Sequence, residues 1–253
     1  MNLKKIKRDK IIDHFKNKGW VKINNFIPKE DLIKVNEKIQ FFLKKNFDRY
    51  SKKHINFASN EKLFSKINSF HRLNDCKEIS KFSKRKSIEN IAKSLLLVNK
   101  IKLRQSEYFA KPKKIGLPVP DHQDNYFWNI IGGNALTIWI ALSPSNKKNG
   151  AIHYYEASHL YNTLKHVPSF AKGTSQKIKN IKFLKKFKKV IPELNRGDAL
   201  IHHASIVHGS KRNSSSITRK GITFQFIDKT FKLDTVAKKR YEKQLQEQIL
   251  TRN

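Results

Sequence analysis

Apolar positions recur with two different periods along the chain. In the first hundred residues they fall mostly three or four apart, as on one face of a helix. The helices predicted there cover residues 3–18, 28–45, 61–69 and 78–97. Gly19 ends the first helix, and a short alternating strand follows it at 20–24. The N-terminal part is therefore predicted to be mostly helical.

The period changes to two beyond about residue 98. Short runs rich in aromatic and β-branched residues are separated there by turn-forming glycine, proline, serine and asparagine. The strands predicted from these runs cover residues 101–110, 122–130, 134–142, 151–155, 198–208 and 221–228. Many short strands with turns between them favour a sandwich or a jelly roll. A final helix is predicted over residues 235–249.

Together these elements predict a mainly β chain with flanking helices, of the α+β class. We expect a single domain over residues 1–253, with a helical part to about residue 98, a jelly-roll core over 99–230 and the C-terminal helix. Residues 177–189 interrupt the strand pattern with lysines among apolar residues. Such a segment can be an amphipathic lid or an anion-binding insert, although a solvated face with a few buried anchors is more common.

The composition fits one folded domain. Hydrophobic residues make up 38% of the 253 residues, which is enough for a sizeable core and argues against a disordered chain. Cys76 is the only cysteine, so an internal disulfide and a cysteine-based zinc or iron–sulfur site are excluded, and a reducing compartment is favoured. No apolar stretch follows the basic N-terminus or is long enough to cross a bilayer. We therefore expect a cytoplasmic protein.

The formal charge of +34 comes from 54 basic and 20 acidic residues. A polyanionic partner, such as nucleic acid, anionic lipid or a phosphorylated substrate, is one explanation. However, the basic residues are 44 Lys against 10 Arg, and Asn, Ile and Phe, which also have AT-rich codons, are frequent. Surfaces that clamp phosphates or contact bases usually favour arginine. Base composition therefore explains the charge better, and the lysine excess only mildly favours an anionic small molecule as substrate.

Two histidines and an aspartate form the most informative chemical pattern. In His122-Gln123-Asp124, the outer residues fall on the same side of an extended strand, where an imidazole and a carboxylate can reach one metal ion. A later apolar run ends at His208, a candidate third ligand from a strand that faces the first pair. This set leaves three coordination positions open, which suits Fe(II) that activates oxygen. Zinc hydrolysis and a metal-free buried cluster remain alternatives.

Arg219 lies eleven residues after His208, beyond a turn at 213–216. It is predicted to begin a strand antiparallel to the one that carries His208. There its guanidinium can pair through two hydrogen bonds with a carboxylate beside the metal. A 2-oxo acid that chelates iron and carries a distal carboxylate fits this geometry.

The order of these motifs resembles that of the phytanoyl-CoA dioxygenase family of Fe(II)/2-oxoglutarate-dependent oxygenases. The resemblance covers roughly residues 10–228. The matching segments are 19–27, 122–124, 138–142, 149–152, 158–159, 197–200, 208–210 and Arg219. The turn written Gly-Ser-His in the family is Ala157-Ser158-His159 here, which leaves the metal ligands untouched.

The resemblance implies a double-stranded β-helix, the cupin-like jelly roll, with added helices. It implies that His122, Asp124 and His208 bind Fe(II) and act in catalysis, and that Arg219 binds the distal carboxylate of the co-substrate 2-oxoglutarate. The further residues implied to line the 2-oxoglutarate site are Gln123, Trp139 and Ser210. One residue on a strand that faces the pocket in relatives, and two that follow the ligand pair, are candidate substrate contacts. These are Gln105, Asn125 and Trp128.

The expected function is hydroxylation of a small molecule, with O2 and 2-oxoglutarate consumed and succinate and CO2 released. Asp124 favours hydroxylation over halogenation, because family halogenases carry a small residue in place of the carboxylate. One alternative is an oxygenase that acts on nucleic acid, but the second arginine usual in those enzymes is absent from 220–225. Another is a non-catalytic basic binding protein on the same fold, which the intact ligands and Arg219 disfavour. The substrate and the oligomeric state are left open.

Overall fold

The computed structural model of the chain describes residues 3–171 and 174–250. The α-helices are α1 (Leu3–Lys18), α2 (Lys29–Asn46), α3 (Lys77–Ser83), α4 (Lys86–Leu96), α5 (Asp124–Trp128) and α6 (Thr235–Leu250). The first four lie before residue 98, as the apolar spacing predicted. Within the described residues, none of the helices combines the length and the apolar character needed to span a membrane.

Most strands belong to two antiparallel sheets. The larger sheet has the order β1 (Trp20–Ile23), β11 (Ala199–His203), β6 (Ala135–Ala141), β13 (Arg219–Asp228), β4 (Ile101–Lys111), β3 (Ile67–Phe70) and β2 (Ile55–Phe57). The smaller sheet has the order β10 (Lys189–Val190), β7 (Ile152–Tyr155), β12 (His208–Ser210) and β5 (Val119–His122). A separate pair consists of β8 (His166–Ala171) and β9 (Thr174–Ile178).

The two faces of the larger sheet have different roles. On β13, Ile222, Phe224 and Phe226 are buried in the main core, which the apolar faces of α2, α3 and α4 complete. Thr223 and Gln225, between them, face the opposite way into a cavity that also receives side chains from the smaller sheet. Because the helices cover only the outer face, the inner face is free to carry polar residues.

Several local predictions were wrong. Residues 61–69 are not a helix, since a short 3-10 turn leads into β3. All four side chains of β3 are buried, and a fully buried strand cannot be distinguished from a helix by its period. The helix predicted over 78–97 is two helices, α3 and α4. The strand predicted over 122–130 ends at His122, and α5 follows it. The N-terminal part also supplies β1, β2 and β3 to the larger sheet.

The run predicted as one strand over 198–208 is two strands in different sheets. β11 ends at His203 in the larger sheet, and β12 begins at His208 in the smaller one. Arg219 does begin a strand, but β13 pairs with β4 and β6 instead of with the strand that carries His208. Arg219 and His208 therefore approach the cavity from opposite sheets.

The basic segment 177–189 is an exposed face with buried anchors. Ile178 and Leu184 are buried together with Val207, while the lysines between them are exposed. This arrangement agrees with the interpretation as a solvated face. The residues just before the segment, Thr174 and Ser175, line the cavity between the sheets.

Candidate metal centre

His122 and His208 lie opposite each other on neighbouring strands of the smaller sheet. They are register partners of β5 and β12, and their ring centroids are 4.3 Å apart. Asp124 lies at the first position of α5, separated from His122 by the extended Gln123. Its side chain therefore points to the same side as that of His122. The metal-binding atoms that the three side chains offer lie within 4.8 Å of one another. The structure thus brings together the set that the sequence predicted.

Backbone carbonyls hold both imidazoles in place. Nδ1 of His122 donates to the carbonyl of Pro120 at 2.8 Å, and Nδ1 of His208 donates to that of Ile206 at 3.0 Å. With the proton on Nδ1, the lone pair of each Nε2 is free to bind a metal ion. Oδ1 of Asp124 lies 3.6 Å from Nε2 of His122 and 3.7 Å from Nε2 of His208. Metal-binding histidines are commonly oriented through their second nitrogen in this way.

The other carboxylate oxygen of Asp124 is held by the larger sheet. The hydroxyl of Thr137 donates to Oδ2 at 3.0 Å, and Nε2 of His202 lies 3.4 Å from the same oxygen. Nδ1 of His202 is in turn 3.0 Å from the hydroxyl of Tyr154. Asp124 therefore presents Oδ1 to the two ligand histidines, while Oδ2 is in contact with Thr137 and His202.

The protonation states suit metal binding at neutral pH. Burial lowers the pKa of His208 well below 6.5, which leaves its imidazole neutral. Burial acts to raise the pKa of Asp124, but the surrounding histidines, His208 foremost, hold it well below 3.8. A metal needs its ligands in these deprotonated forms. Two imidazole nitrogens and one carboxylate oxygen that converge on one side form a donor set that fits Fe(II).

Arg219 lines the same cavity and lacks a counter-charge. It is 3% exposed, and one terminal N–H group donates to the carbonyl of Gly150 at 2.7 Å, whereas its Nε has no partner among the described residues. Its guanidinium lies 5.2 Å from the ring of Trp139. Burial lowers the pKa of Arg219 to about 10, and the described residues place no carboxylate beside it. A buried cation left in this state is costly, so an anionic ligand would stabilise it.

Two glycines allow this arrangement. A Cβ at Gly221 would lie 2.0 Å from the ring of Trp139, so a side chain there would displace the ring from beneath Arg219. Gly150 has a φ of +82°, which L side chains rarely adopt, and its carbonyl accepts the hydrogen bond from Arg219. Gly150 thus supports the arginine through its carbonyl, and Gly221 does so by leaving room for the Trp139 ring.

Lys111 is a second buried cation, which the sequence interpretation missed. It is the register partner of Arg219, it is 1% exposed, and its ammonium donates to the carbonyl of Leu117. Burial, followed by the charge of Arg219, lowers the pKa of Lys111 well below 10.5. Alternation along β4 could have indicated the position of Lys111, because residues 105, 107, 109 and 111 share one face.

We expect Lys111→Met to stabilise the protein free of metal and 2-oxoglutarate at neutral pH, because the substitution removes a buried ammonium beside Arg219. Since the native pKa lies below 10.5, the unfolded chain binds more protons between the two values. The contribution of Lys111 to stability therefore rises with pH through this window and is complete above it. Urea unfolding from neutral pH to about pH 10 measures the difference. The variant should lack the rise.

Lys113→Met is the matched control for this experiment, since Lys113 is exposed two positions further along the chain. Its stability should follow that of the unsubstituted protein at every pH. Parallel pH profiles for Lys111→Met and the unsubstituted protein would contradict the assignment of a depressed pKa to Lys111.

The other predicted residues divide into two groups. Trp139, Ser210, Gln105 and Trp128 line the cavity together with the metal ligands. Gln123 does not, because neighbours on an extended strand point to opposite sides and the flanking residues are the ligands. Its amide nitrogen donates to a backbone carbonyl, and its carbonyl oxygen accepts from a backbone N–H, both at 2.7 Å. The predicted contact of Gln123 with 2-oxoglutarate is therefore not supported by its position.

Asn125 also lies outside this cavity. Its side chain donates to the carbonyl of Ile130 at 3.0 Å and accepts from the same residue's N–H at 3.1 Å. It lines a neighbouring cavity on the other side of α5 from the metal ligands' cavity. Its hydrogen bonds hold the chain after α5, and a substrate contact by Asn125 stays a prediction that would require the substrate to reach this neighbouring cavity.

Thr137→Val is expected to lower the affinity for a divalent metal by about tenfold, because it removes the hydrogen bond to Oδ2 of Asp124 while keeping the side-chain shape. Calorimetric titration with Mn(II), which does not start oxygen chemistry in this site, measures the effect. Thr163→Val, at an exposed threonine, is the control. Equal affinity of the two variants would show that Thr137 does not orient the ligand.

Comparison with known sequences places these motifs in a family. The profile described as Phytanoyl-CoA dioxygenase (PhyH) matches residues 15–221. A phytanoyl-CoA dioxygenase domain-containing protein 1 from Danio rerio is 30% identical over 145 residues, which are 56% of this chain and 50% of that protein. A homolog from Dictyostelium discoideum is 28% identical over 197 residues, which are 76% of this chain and 68% of that protein. The first match thus spans half the length of the relative.

Solved structures share the fold at low sequence identity. EctD from S. alaskensis, with 2-oxoglutarate and 5-hydroxyectoine, has a TM-score of 0.74 at 15% identity and covers 92% of this chain and 78% of that chain. The non-heme alpha ketoglutarate dependent carbocyclase SnoK from nogalamycin biosynthesis has a TM-score of 0.71 at 17% identity, over 88% and 85%. These likenesses confirm the predicted jelly roll of 2-oxoglutarate-dependent oxygenases. Since the family profile matches most of its length, the chain belongs to the phytanoyl-CoA dioxygenase family.

Proposed function

We infer that this protein is a dioxygenase that uses Fe(II) and 2-oxoglutarate to hydroxylate a small molecule. One observation carries the inference: a single cavity is lined both by the convergent His/Asp/His set and by a buried arginine without a counter-charge. The first feature suits Fe(II) with open positions, and the second suits the distal carboxylate of 2-oxoglutarate. Structures of the neighbour EctD hold Fe and 2-oxoglutarate.

The side chains divide the work of positioning. His122, Asp124 and His208 would hold Fe(II) and leave its opposite face open to 2-oxoglutarate and O2. Arg219, with Trp139 beneath it, would bind the distal carboxylate and so fix the direction of the co-substrate. The two sheets around them shield the site from bulk water. Bound iron with 2-oxoglutarate supplies the chemistry: one oxygen atom of O2 goes to succinate, with release of CO2, and the other enters a substrate C–H bond.

Hydroxylation is the proposed outcome because Asp124 supplies the third ligand. A small residue there would free a coordination position for halide, as in family halogenases, whereas Asp124 fills it from a fixed geometry. Other outcomes are known on this fold, since SnoK is named a carbocyclase and SnoN an epimerase. The product must therefore be identified directly, by the gain of one oxygen atom.

The test has two stages. Calorimetry first measures whether Mn(II) binds and whether 2-oxoglutarate then binds to the metal-loaded protein. The Fe(II) protein is next mixed with 2-oxoglutarate and oxygen, and succinate is measured with and without pools of small molecules. We expect metal-dependent 2-oxoglutarate binding and succinate release that a substrate stimulates. Absence of metal-dependent 2-oxoglutarate binding would overturn the proposal and favour a zinc hydrolase or a non-catalytic protein.

We further propose that the protein works in the cytoplasm and on a small molecule instead of nucleic acid. The buried free thiol of Cys76 suits a reducing compartment. The lysines of segment 177–189 point to solvent, and the cavity that holds the ligands is only about 350 Å³ in volume. Tight DNA binding that weakens steeply with salt would instead revive the nucleic-acid alternative.

A further inference from the structure

The end of the cavity floor away from Arg219 carries a network of polar side chains. The floor is formed by β4 and β13, whose register pairs Arg219 with Lys111 at one end and Gln225 with Gln105 at the other. Six residues of extended chain separate the two ends, which is about 20 Å. A 2-oxoglutarate molecule anchored on Arg219 therefore leaves the second end free for another ligand.

The network is centred on the buried carboxylate of Glu107, which is 7% exposed. Its Oε1 accepts from Nδ1 of His71 at 2.7 Å and from the amide of Gln105 at 2.9 Å. Its Oε2 accepts from the amide of Gln225 at 2.7 Å. Each carboxylate oxygen can accept about two hydrogen bonds, so Oε2 keeps one position for a ligand. Among the residues that the structure describes, the ion pair of Glu107 is with His71 and involves no lysine or arginine.

A β-bulge adds a cation to the same wall. The register between β4 and β13 shifts between Gln225 and Phe226, which leaves Arg104 without a residue opposite it. Arg104 consequently faces the cavity beside Gln105 instead of alternating away from it. Its guanidinium donates to the carbonyl oxygen of Gln225 at 2.6 Å and lies 4.8 Å from the ring of Trp128. This hydrogen bond uses one of the five N–H groups of the guanidinium.

Gln225 keeps the two opposite charges apart. Its nitrogen donates to Glu107 and its oxygen accepts from Arg104, so the carboxylate and the guanidinium share a neighbour without pairing directly.

Thr223, the register partner of Glu107, lines the same cavity. Within the described part of the chain its hydroxyl has no hydrogen-bond partner, although the residue is only 2% exposed. Buried polar groups rarely stay unpaired, so the hydroxyl also indicates a ligand in this space.

The network lies within reach of the metal ligands. Gln225 is the register partner of Thr137 on β6, and Thr137 donates to Asp124. Gln105 is one strand further away, so about 10 Å separates it from Thr137 across the sheet. A small molecule held by the network can therefore extend towards the metal ligands.

We propose that the polar wall formed by Arg104, Gln105, Glu107 and Gln225 binds the main substrate, and that this substrate is a small zwitterion of the amino-acid type. Its ammonium group binds Glu107 and the carbonyl oxygen of Gln105, and its carboxylate binds the guanidinium of Arg104. The inference rests on the proposed function, since it names the substrate of that reaction. The cavity volume of about 350 Å³ is at the lower end for small-molecule sites.

Other substrate classes fit this wall less well. A fatty acyl chain would remove water from Arg104, Glu107 and Thr223 without replacing the lost hydrogen bonds. A purely anionic molecule, which the lysine excess mildly favoured, would bring its charge against Glu107. A zwitterion matches both charges and needs no change in the hydrogen bonds already present.

The test uses the whole Fe(II)-loaded protein and follows succinate release from 2-oxoglutarate. The first probe is a pool of the twenty protein amino acids, extended by diamino acids and N-methylated amino acids. The matched probes are the same pool N-acetylated, which removes the ammonium charge, and the same pool as carboxamides, which removes the carboxylate. We expect stimulation by the first pool, at least about tenfold stronger than by either matched pool.

Variants then locate the binding site. Glu107→Gln should raise the KM for the stimulating amino acid about 10- to 100-fold, because it removes a buried charge-assisted contact. Arg104→Gln should raise the KM about fivefold, because Arg104 is partly exposed and water weakens its contact with the substrate. Lys102→Gln is the control, since this exposed lysine lies on the same strand and outside the cavity. Calorimetry of 2-oxoglutarate on each Mn(II)-loaded variant shows whether the metal end of the cavity still forms.

The outcomes separate this inference from the proposed function. If the unsubstituted protein showed no metal-dependent binding of 2-oxoglutarate, the proposed function itself would be overturned. Normal 2-oxoglutarate binding, combined with no response to the zwitterionic pool or with equal responses to the acetylated one, would overturn only the substrate class. An unchanged KM in both charge variants would overturn the polar wall as the binding site.

Discussion

Asp124→Ala is expected to abolish hydroxylation and to lower the affinity for Fe(II) by at least about 100-fold, because removal of groups that merely orient a ligand already costs 10- to 100-fold. The substitution deletes the oxygen towards which both Nε2 atoms converge. It also deletes the acceptor of the Thr137 hydroxyl. Anaerobic titration with Fe(II), followed by succinate measurement after oxygen is admitted, checks both effects.

Two further variants make the Asp124 experiment decisive. Asp124→Asn keeps the shape of the side chain and should still bind metal far more weakly than aspartate, which separates loss of the ligand charge from loss of packing. Asp9→Ala removes an exposed carboxylate on α1 and should change neither affinity nor turnover. Full turnover by Asp124→Ala would refute the metal site.

The ligands could be predicted from sequence because their geometry is largely local. His122 and Asp124 are separated by one extended residue, so their relation follows from the backbone alone. His208 required only that its strand return beside the first, which the structure confirms. The position of Arg219 in its strand was predicted, but its sheet was not. A turn between two runs does not reveal whether the chain stays in one sheet or crosses to another.

The residues that sequence reasoning missed depend on strand register between distant segments. Thr137 and His202 become neighbours of Asp124 only because β6 and β11 pair in a particular register. Threonine and histidine also occur at exposed positions such as Thr163 and His14, so residue type gave no signal. Because it lies five residues before His208, His203 is the better candidate by sequence for a residue that supports the ligands. The structure instead turns His202 towards Asp124 and His203 towards Phe15.

The polar wall shows the same limit in a sharper form. Arg104 faces the cavity because of a single-residue bulge, and without the bulge strict alternation would place it on the opposite face from Gln105. The family resemblance placed Gln105 at the pocket, and alternation from Gln105 could have pointed to Glu107 but not to Arg104. The proposed substrate contact of Arg104 thus depends on a local irregularity that an alternating pattern cannot display.

Arg219→Met is expected to raise the dissociation constant of 2-oxoglutarate by at least about 30-fold, since truncation of one partner of a buried hydrogen-bonded charge pair costs about 2–5 kcal/mol. The guanidinium is 3% exposed and no carboxylate of the described residues lies beside it, so the ligand would be its counter-charge. Calorimetry on the Mn(II)-loaded protein measures the constant. Arg212→Met, at an exposed arginine on the preceding turn, is the control and should bind normally.

The preference for 2-oxoglutarate over an acid without the distal carboxylate distinguishes recognition by Arg219 from a merely structural role. 2-Oxopentanoate has the same carbon chain as 2-oxoglutarate but lacks the distal carboxylate, so it offers the metal an identical chelating end. The unsubstituted protein should prefer 2-oxoglutarate strongly, whereas Arg219→Met should bind the two acids with similar affinity, because the buried cation that discriminated between them is gone. Arg219→Lys should recover only part of the preference, since an ammonium cannot reproduce two parallel hydrogen bonds. A variant that binds both acids weakly but keeps the original ratio would show that Arg219 supports the fold and does not contact the co-substrate.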